Sequence, residues 1–264
     1  MTPSEVLAAQ AHRPWSLPQR PWAMAMRWHD LLFAHWPFAP DVLRPHIPAG
    51  LALDTYEGNA WLGVVPFRMS GVRPRGIPAL PWFSAFPELN VRTYVTASGK
   101  PGVWFFSLDA ANPIAVEGAR RVFHLAYFRA RMRCVEKAGW IDYHCRRTDR
   151  RAASVQPLAQ RFAGQGEFAG RYRGIGEAFA AQPGTLDYFL TERYCLYAAD
   201  GRGRVYRGDI HHAPWRLQRA EAEISVNTMA AADGFTLPDS PPLLHFTRRQ
   251  DVLAWAIQPA ELES

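Results

Sequence analysis

The clearest polar–apolar alternation in the chain runs from residue 88 to 95. Glu88, Asn90, Arg92 and Tyr94 fall on one side, and Leu89, Val91, Thr93 and Val95 on the other. Side chains along a strand point alternately to its two faces. The pattern therefore predicts a strand with a carboxylate, an amide and a guanidinium in one line. Ser98-Gly99-Lys100-Pro101-Gly102 then supplies a turn, and VWFFSLD (103–109) a return strand. Asn112-Pro113 opens a helix over IAVEGARRVFH. Residues 127–135 and 140–147 read as a hairpin about Ala138-Gly139. Upstream, 22–36 reads as an aromatic-rich strand, and Asp41 caps one helical turn in a proline-punctuated segment. Residues 51–58 and 60–70 read as strands joined at Glu57-Gly58-Asn59. Downstream, 148–185 reads as a long excursion, and GTLDYFLTERYCLYA as a short helix entering a strand. RVYRGDIHHAPW returns after a turn at Asp200-Gly201-Arg202-Gly203. AEAEISVNTMAAADG fits helix or strand, and PLLHFTRRQDVLAWAIQP ends as one strand or two. Short strands with turns every ten residues or so predict an α+β fold, predominantly β, as a closed barrel or double sheet with a few short helices.

Composition narrows this picture. At 264 residues, 48% hydrophobic and 13% aromatic, the chain can bury a substantial core. No apolar run approaches the length of a membrane span, and the N-terminus lacks a secretory pattern. The expectation is a cytoplasmic protein with no membrane contact: a loose leader over 1–20, then a single domain over 21–264. The net charge of +6 is carried almost wholly by arginine, with lysine only at Lys100 and Lys137. The densest basic run, Arg146, Arg147, Arg150 and Arg151, has no interleaved aromatics and reads as a solvated loop. No nucleic-acid partner is expected. Cys134, Cys145 and Cys195 form no metal-binding spacing, although Cys134 and Cys145 could face each other across the hairpin.

The blocks RWHDLLFAHWP, LDTYEGNAWLGVVPFRM, FPELNVRTYV, GVWFFSLDA, GARRVFHL, FLTERYCLY and GDIHHAPW occur in order along residues 20–258. In this the chain resembles the YqjF-like family of uncharacterised bacterial proteins. The resemblance implies the fold of acetoacetate decarboxylase, a β-rich domain around a small central cavity. It also implies where a Schiff-base lysine and its companion lysine would fall, just after the Gly-Arg element. Phe123, His124, Leu125 and Ala126 stand there instead. Lys100 and Lys137 lie in turn sequences, where nothing would keep an amine neutral. The resemblance therefore carries the fold without the lysine chemistry.

The candidate site is assembled around the polar strand. Glu88 and His124 are the candidate acid–base pair. Asn90, Arg92 and Arg120 are candidate ligand contacts, because an inward guanidinium suits a carboxylate. Trp104 and Phe106, with the aromatic residues of PWFSAF, are expected to supply apolar walls. Glu192, in FLTERYCLY, is a further candidate contact, although exposure is the commoner fate of a Glu-Arg pair. Asp209 and His211 would share a strand face, and His29 and His35 would share another. No metal set, cofactor fingerprint or nucleophile elbow is visible, so no cofactor is expected. The expected function is binding of a small organic acid or carbonyl compound. Lysine-independent acid–base catalysis is open, and so are a non-catalytic sensor module and an interaction protein using loop 71–83. The aromatic-rich edges leave a homodimer open.

Overall fold

The computed structural model describes residues 2–80, 84–149 and 164–262. Among the described residues thirteen strands form a single large sheet, accompanied by short helices. The strands that frame the site are β1 (Met24–Phe38), β3 (Ala60–Pro74), β4 (Phe86–Ala97), β5 (Lys100–Ala110) and β12 (Leu243–Ala254). They lie side by side in the order β12-β1-β3-β4, and β5 pairs with β4. Further along the sheet, β6 (Tyr127–Lys137), β7 (Trp140–Arg147), β8 (Glu167–Phe179) and β11 (Leu217–Asn227) continue from β5 back to β12. On its other side β5 pairs in parallel with β9 (Cys195–Ala199), which pairs with β10 (Val205–His211), and β10 also meets β12. The predominantly β expectation holds, as do the β4–β5 and β6–β7 hairpins. The reading of 148–185 as an excursion misses β8, which pairs with both β7 and β11.

The five framing strands form a partition with an apolar core on each face. Leu32, Ala34, Leu62, Val64, Leu89 and Val91 face one core, which is closed on its far side by residues such as Ile141, Tyr143, Phe168 and Tyr172. Leu31, Phe33, Val65, Phe67, Phe86 and Tyr94 face the second core. Two irregularities decide what faces where. Asp30 has φ 50°, and the β1–β3 register shifts between His29 and Ala34. The kink lets Trp28 and Leu31 both reach the second core. Strict alternation is thereby broken, so His35 enters the second core's face while His29 turns to Ser70, its Nε2 2.7 Å from the hydroxyl. On β5, Val91 pairs with Ser107 but Arg92 pairs with Phe105, which leaves Phe106 as an extra residue.

Two helices cover the second core, and a third packs elsewhere. α3 (Pro113–Phe123) starts at Asn112, whose side chain accepts from the Ile114 and Ala115 amides, and packs Val116 inward. α4 (Leu186–Thr191) presents Leu186, Phe189 and Leu190. At the N-terminus, α1 (Pro3–Ala8) is held by a Thr2–Glu5 capping box and buries Val6. His12 and Arg13 reach the backbone oxygens of His212 and Ile210, so this segment is anchored to the body rather than loose.

The basic run also departs from its reading. Arg147 is buried, lies 4.1 Å from the Phe128 ring centroid, and bridges Asp109 at 2.8 Å and Asp233 at 2.9 Å. Burial disfavours its charge, but the two carboxylates more than offset this and raise its pKa. Arg150 and Arg151 lie outside the described residues. Cys134, Cys145 and Cys195 are free thiols. Among the described residues no helix is long and apolar enough to cross a membrane.

Candidate functional site

The polar face of β4 looks into the second core. Glu88 and Asn90 are only 3% and 6% exposed, and Arg92 is half-buried. Their cross-strand partners are Phe67 and Ala110 for Glu88, Val65 and Leu108 for Asn90, and Gly63 and Phe105 for Arg92. Paired residues share a face, so each polar group is set among side chains of this core. Burial pushes the Glu88 carboxyl from 4.5 up to about 8, against the pull of the Tyr127 hydroxyl that donates to it at 2.9 Å.

Around Arg92 lies a cluster that the sequence does not announce. His35 on β1 pairs with Gly63 on β3, which pairs with Arg92 on β4. Gly63 leaves the lane between them without a side chain. A Cβ there would stand 2.9 Å from His35 Cδ2 and 3.5 Å from Arg92 Cγ. His35 Nε2 lies 2.6 Å from the Tyr94 hydroxyl, which in turn lies 2.6 Å from the carbonyl oxygen of Leu190 on α4. Arg92 Nη2 donates to the same carbonyl at 3.3 Å and to Tyr94 Oη at 3.4 Å. Among the described residues Arg92 has no carboxylate partner. Burial, and then the nearby Arg92 and His245, hold the His35 pKa well below 6.5. His245, opposite Phe33, lies 2.9 Å from Asp187 of α4 and 2.5 Å from Arg219. Burial lowers its pKa too.

Nine buried side-chain polar atoms among the described residues lack a hydrogen-bond partner, and five belong to this face: Asn90 Oδ1, Arg92 Nε, His35 Nδ1, His245 Nδ1 and Trp61 Nε1. Buried polar groups are ordinarily paired, at a cost of about 1–3 kcal/mol when they are not. These five sit together on one wall of the second core.

The remaining candidates lie elsewhere. His124 ends α3 in a left-handed conformation and packs its ring 5.0 Å from that of Tyr206, so it forms no pair with Glu88. Arg120 binds the Tyr127 carbonyl oxygen at 2.8 Å and Asp149 at 2.6 Å, tying α3 to β6. Trp104 and Phe106 fall on the opposite side of β5, because the extra residue at Phe106 gives Arg92's face to Val103 and Phe105. Glu192 is buried, not solvated, and accepts from the Trp215 amide at 2.9 Å and from the Tyr194 hydroxyl. Burial raises its pKa. Arg193 is likewise buried and pairs with Asp54 at 2.6 Å. Asp209 meets Arg207, whereas His211 contacts Arg13 and the Val6 carbonyl oxygen, so the two have different partners. No metal-binding cluster occurs among the described residues. Trp82 and Phe83 of PWFSAF lie outside them.

Two hollows are prominent. One of about 640 Å³ lies over β7, β8 and β11, between Arg133, His144, Arg171 and Glu223. The other, of about 250 Å³, lies beside α4 and is lined by Trp15, Asp54, Tyr56, Phe189, Glu192 and Arg193. It adjoins the polar wall through shared side chains. The Arg193 guanidinium stands 4.8 Å from the Tyr94 ring centroid, and Phe189 stands 5.2 Å from the same ring.

An uncharacterized protein of Bacillus subtilis, YqjF, is 48% identical over 243 residues, spanning 92% of this chain and 95% of that protein. The profile of the DUF2071 family, described as an uncharacterized conserved protein, matches residues 25–251. The chain belongs to this family. Solved structures extend the likeness of this YqjF-like chain to more distant folds. Acetoacetate decarboxylase from Legionella pneumophila superposes with a TM-score of 0.59 at 11% identity, covering 97% of this chain and 95% of its own. The enduracididine biosynthesis enzyme MppR, complexed with pyruvate, gives 0.58 at 11% identity, over 96% and 95%. At such identity the likeness is one of fold: the YqjF-like chain has an acetoacetate decarboxylase-like architecture, mostly β with a few short helices.

Proposed function

We propose that this protein binds a small organic acid or carbonyl compound on the wall formed by Asn90, Arg92 and His35, without Schiff-base chemistry. The observation that carries the reading is Arg92: a half-buried guanidinium with no carboxylate partner among the described residues and an unpartnered Nε. Such a group favours an anion, and a planar fork suits a carboxylate. The pyruvate held by the structural neighbour MppR is a compound of this class. Lys137 is exposed and Lys100 lies at the β4–β5 turn, so neither supplies an amine to the wall. Any turnover would therefore rest on His35, neutral near pH 7, or on the protonated Glu88 carboxyl. Binding without turnover is favoured by the position of His124, which leaves Glu88 without the partner expected for proton transfer. The compartment that suits the three free thiols is the reducing cytoplasm.

Thermal-shift measurements with a panel of small carboxylates, followed by product analysis, test this reading. Stabilisation by carboxylates that is lost in Arg92→Met is the expected result. Equal response of wild type and Arg92→Met would overturn it. Borohydride treatment with a keto acid should leave the mass unchanged, and an adduct at Lys100 or Lys137 would refute the lysine-independent part.

A further inference from the structure

The hollow of about 250 Å³ beside α4 has aromatic walls, Trp15, Tyr56, Tyr188 and Phe189, and polar side chains whose valences can be followed one by one. Most are engaged. The Tyr56 hydroxyl donates to the Gly184 carbonyl oxygen at 3.1 Å. The Thr185 hydroxyl donates to the Gln182 carbonyl oxygen at 2.7 Å and accepts from the Tyr188 amide. Each Glu192 oxygen has its own donor, the Trp215 amide or the Tyr194 hydroxyl. Trp15 Nε1 has no partner, but it is buried out of a ligand's reach. Arg193 and Asp54 are joined by a single hydrogen bond, Nη1 to Oδ2 at 2.6 Å, and Arg193 Nε is spent on the Phe189 carbonyl oxygen at 2.7 Å. Arg193 Nη2, Asp54 Oδ1 and the Tyr188 hydroxyl are left without a partner among the described residues, and none of the three is a fully buried atom. The hollow therefore offers one donor and one acceptor on the two halves of a single ion pair, with a hydroxyl that can take either role. Its charge is already balanced. An anion would face the Asp54 carboxylate, which also neutralises Arg193. A cation would add to Arg13, 5.5 Å over the Trp15 ring, and to Arg193, 4.4 Å over the Phe189 ring.

We infer that this hollow binds a neutral planar heterocycle with a cyclic amide edge, its N–H donating to Asp54 Oδ1 and its carbonyl oxygen accepting from Arg193 Nη2. Aromatic walls suit a flat ring, which they meet in offset or edge-on contact. An engineered apolar cavity of about 150 Å³ holds benzene, so the larger hollow has room for one or two fused rings. Asn90, Arg92 and His35 do not line it, and the inference does not rest on the organic-acid reading.

Calorimetric titration of the full chain with 2-quinolone, 1-methyl-2-quinolone and quinoline-2-carboxylate tests it. The first carries the N–H and carbonyl, the second lacks the N–H, and the third is an anion of similar shape. 2-Quinolone should bind on the order of tenfold more tightly than its N-methyl derivative, as expected when the Asp54 oxygen loses its donor. The carboxylate should bind more weakly than 2-quinolone. Equal affinity for the two quinolones would overturn the inference, as would a carboxylate that binds as tightly as 2-quinolone, or no binding of any of the three. This series needs no substitution, so it decides the matter whether or not variants fold. Trp15→Ala and Tyr188→Ala then locate the site on two separate segments of its wall. Each should weaken 2-quinolone binding on the order of tenfold with its far-UV circular dichroism unchanged. Undiminished binding in both folded variants would place the ligand elsewhere and refute the assignment.

Discussion

Replacing Glu88 by glutamine separates a buried neutral acid from a buried carboxylate. Burial raises the Glu88 carboxyl from 4.5 to about 8. Between those values the native protein holds a proton that the unfolded chain has released. Stability should then fall by about 1.4 kcal/mol for each pH unit gained. The favourable contribution is complete below about pH 4.5 and is lost as pH rises towards 8. Glutamine has the shape of the protonated acid, keeps an oxygen for the Tyr127 hydroxyl, and does not titrate. Every other titrating group is common to both proteins and cancels in their difference. From pH 5 to pH 8, Glu88→Gln should therefore gain about 3–4 kcal/mol on wild type. Urea unfolding of both proteins at intervals of half a pH unit measures this directly. A difference that stays level within about 1 kcal/mol would mean that the carboxylate is solvated in the native state, and the inward orientation of the β4 polar face would have to be abandoned.

Two further substitutions probe the frame. Arg147→Met leaves Asp109 and Asp233 buried without their cation, and should cost about 3–5 kcal/mol at pH 7 in urea unfolding. Both carboxyls are already raised by burial, Asp109 to about 6, so part of that loss should be recovered at pH 5; a loss as large at pH 5 as at pH 7 would contradict the assignment. Gly63→Ala drives a methyl to 2.9 Å from His35 Cδ2 and should cost about 1–3 kcal/mol, read as a lowered Tm, and abolish carboxylate binding; an unchanged Tm would show that the lane has room to spare.

The strand of Glu88, Asn90 and Arg92 was legible because period two is a local property, needing only neighbouring residues. The helix after Asn112-Pro113 was legible for a similar reason, since its cap and its proline are adjacent to it. β8 was not, because glycines and arginines interrupt its apolar pattern and only pairing with β7 and β11 holds it extended. Trp104 and Phe106 were misplaced by the extra residue in β5, which nothing in VWFFSLD signals. His35 stood out only as a polar residue within LLFAHWPF. Its meeting with Gly63, Arg92 and Leu190 depends on register between segments far apart in the chain. His124 itself caps α3 in a left-handed conformation, and that turn directs its ring to Tyr206.

The two-sided partition has a consequence for how such chains can vary in length. Shifting β4 by one residue would move Glu88, Asn90 and Arg92 among the phenols and aliphatics of the first core and push Leu89 and Val91 onto the polar side, spoiling two interiors at once. In β6 and β7, whose outward residues such as Arg131, Arg133 and Arg146 meet water, the same slip spoils only one. Insertions and deletions should therefore accumulate in the outer strands and their turns, while the residue count of the partition strands stays constant.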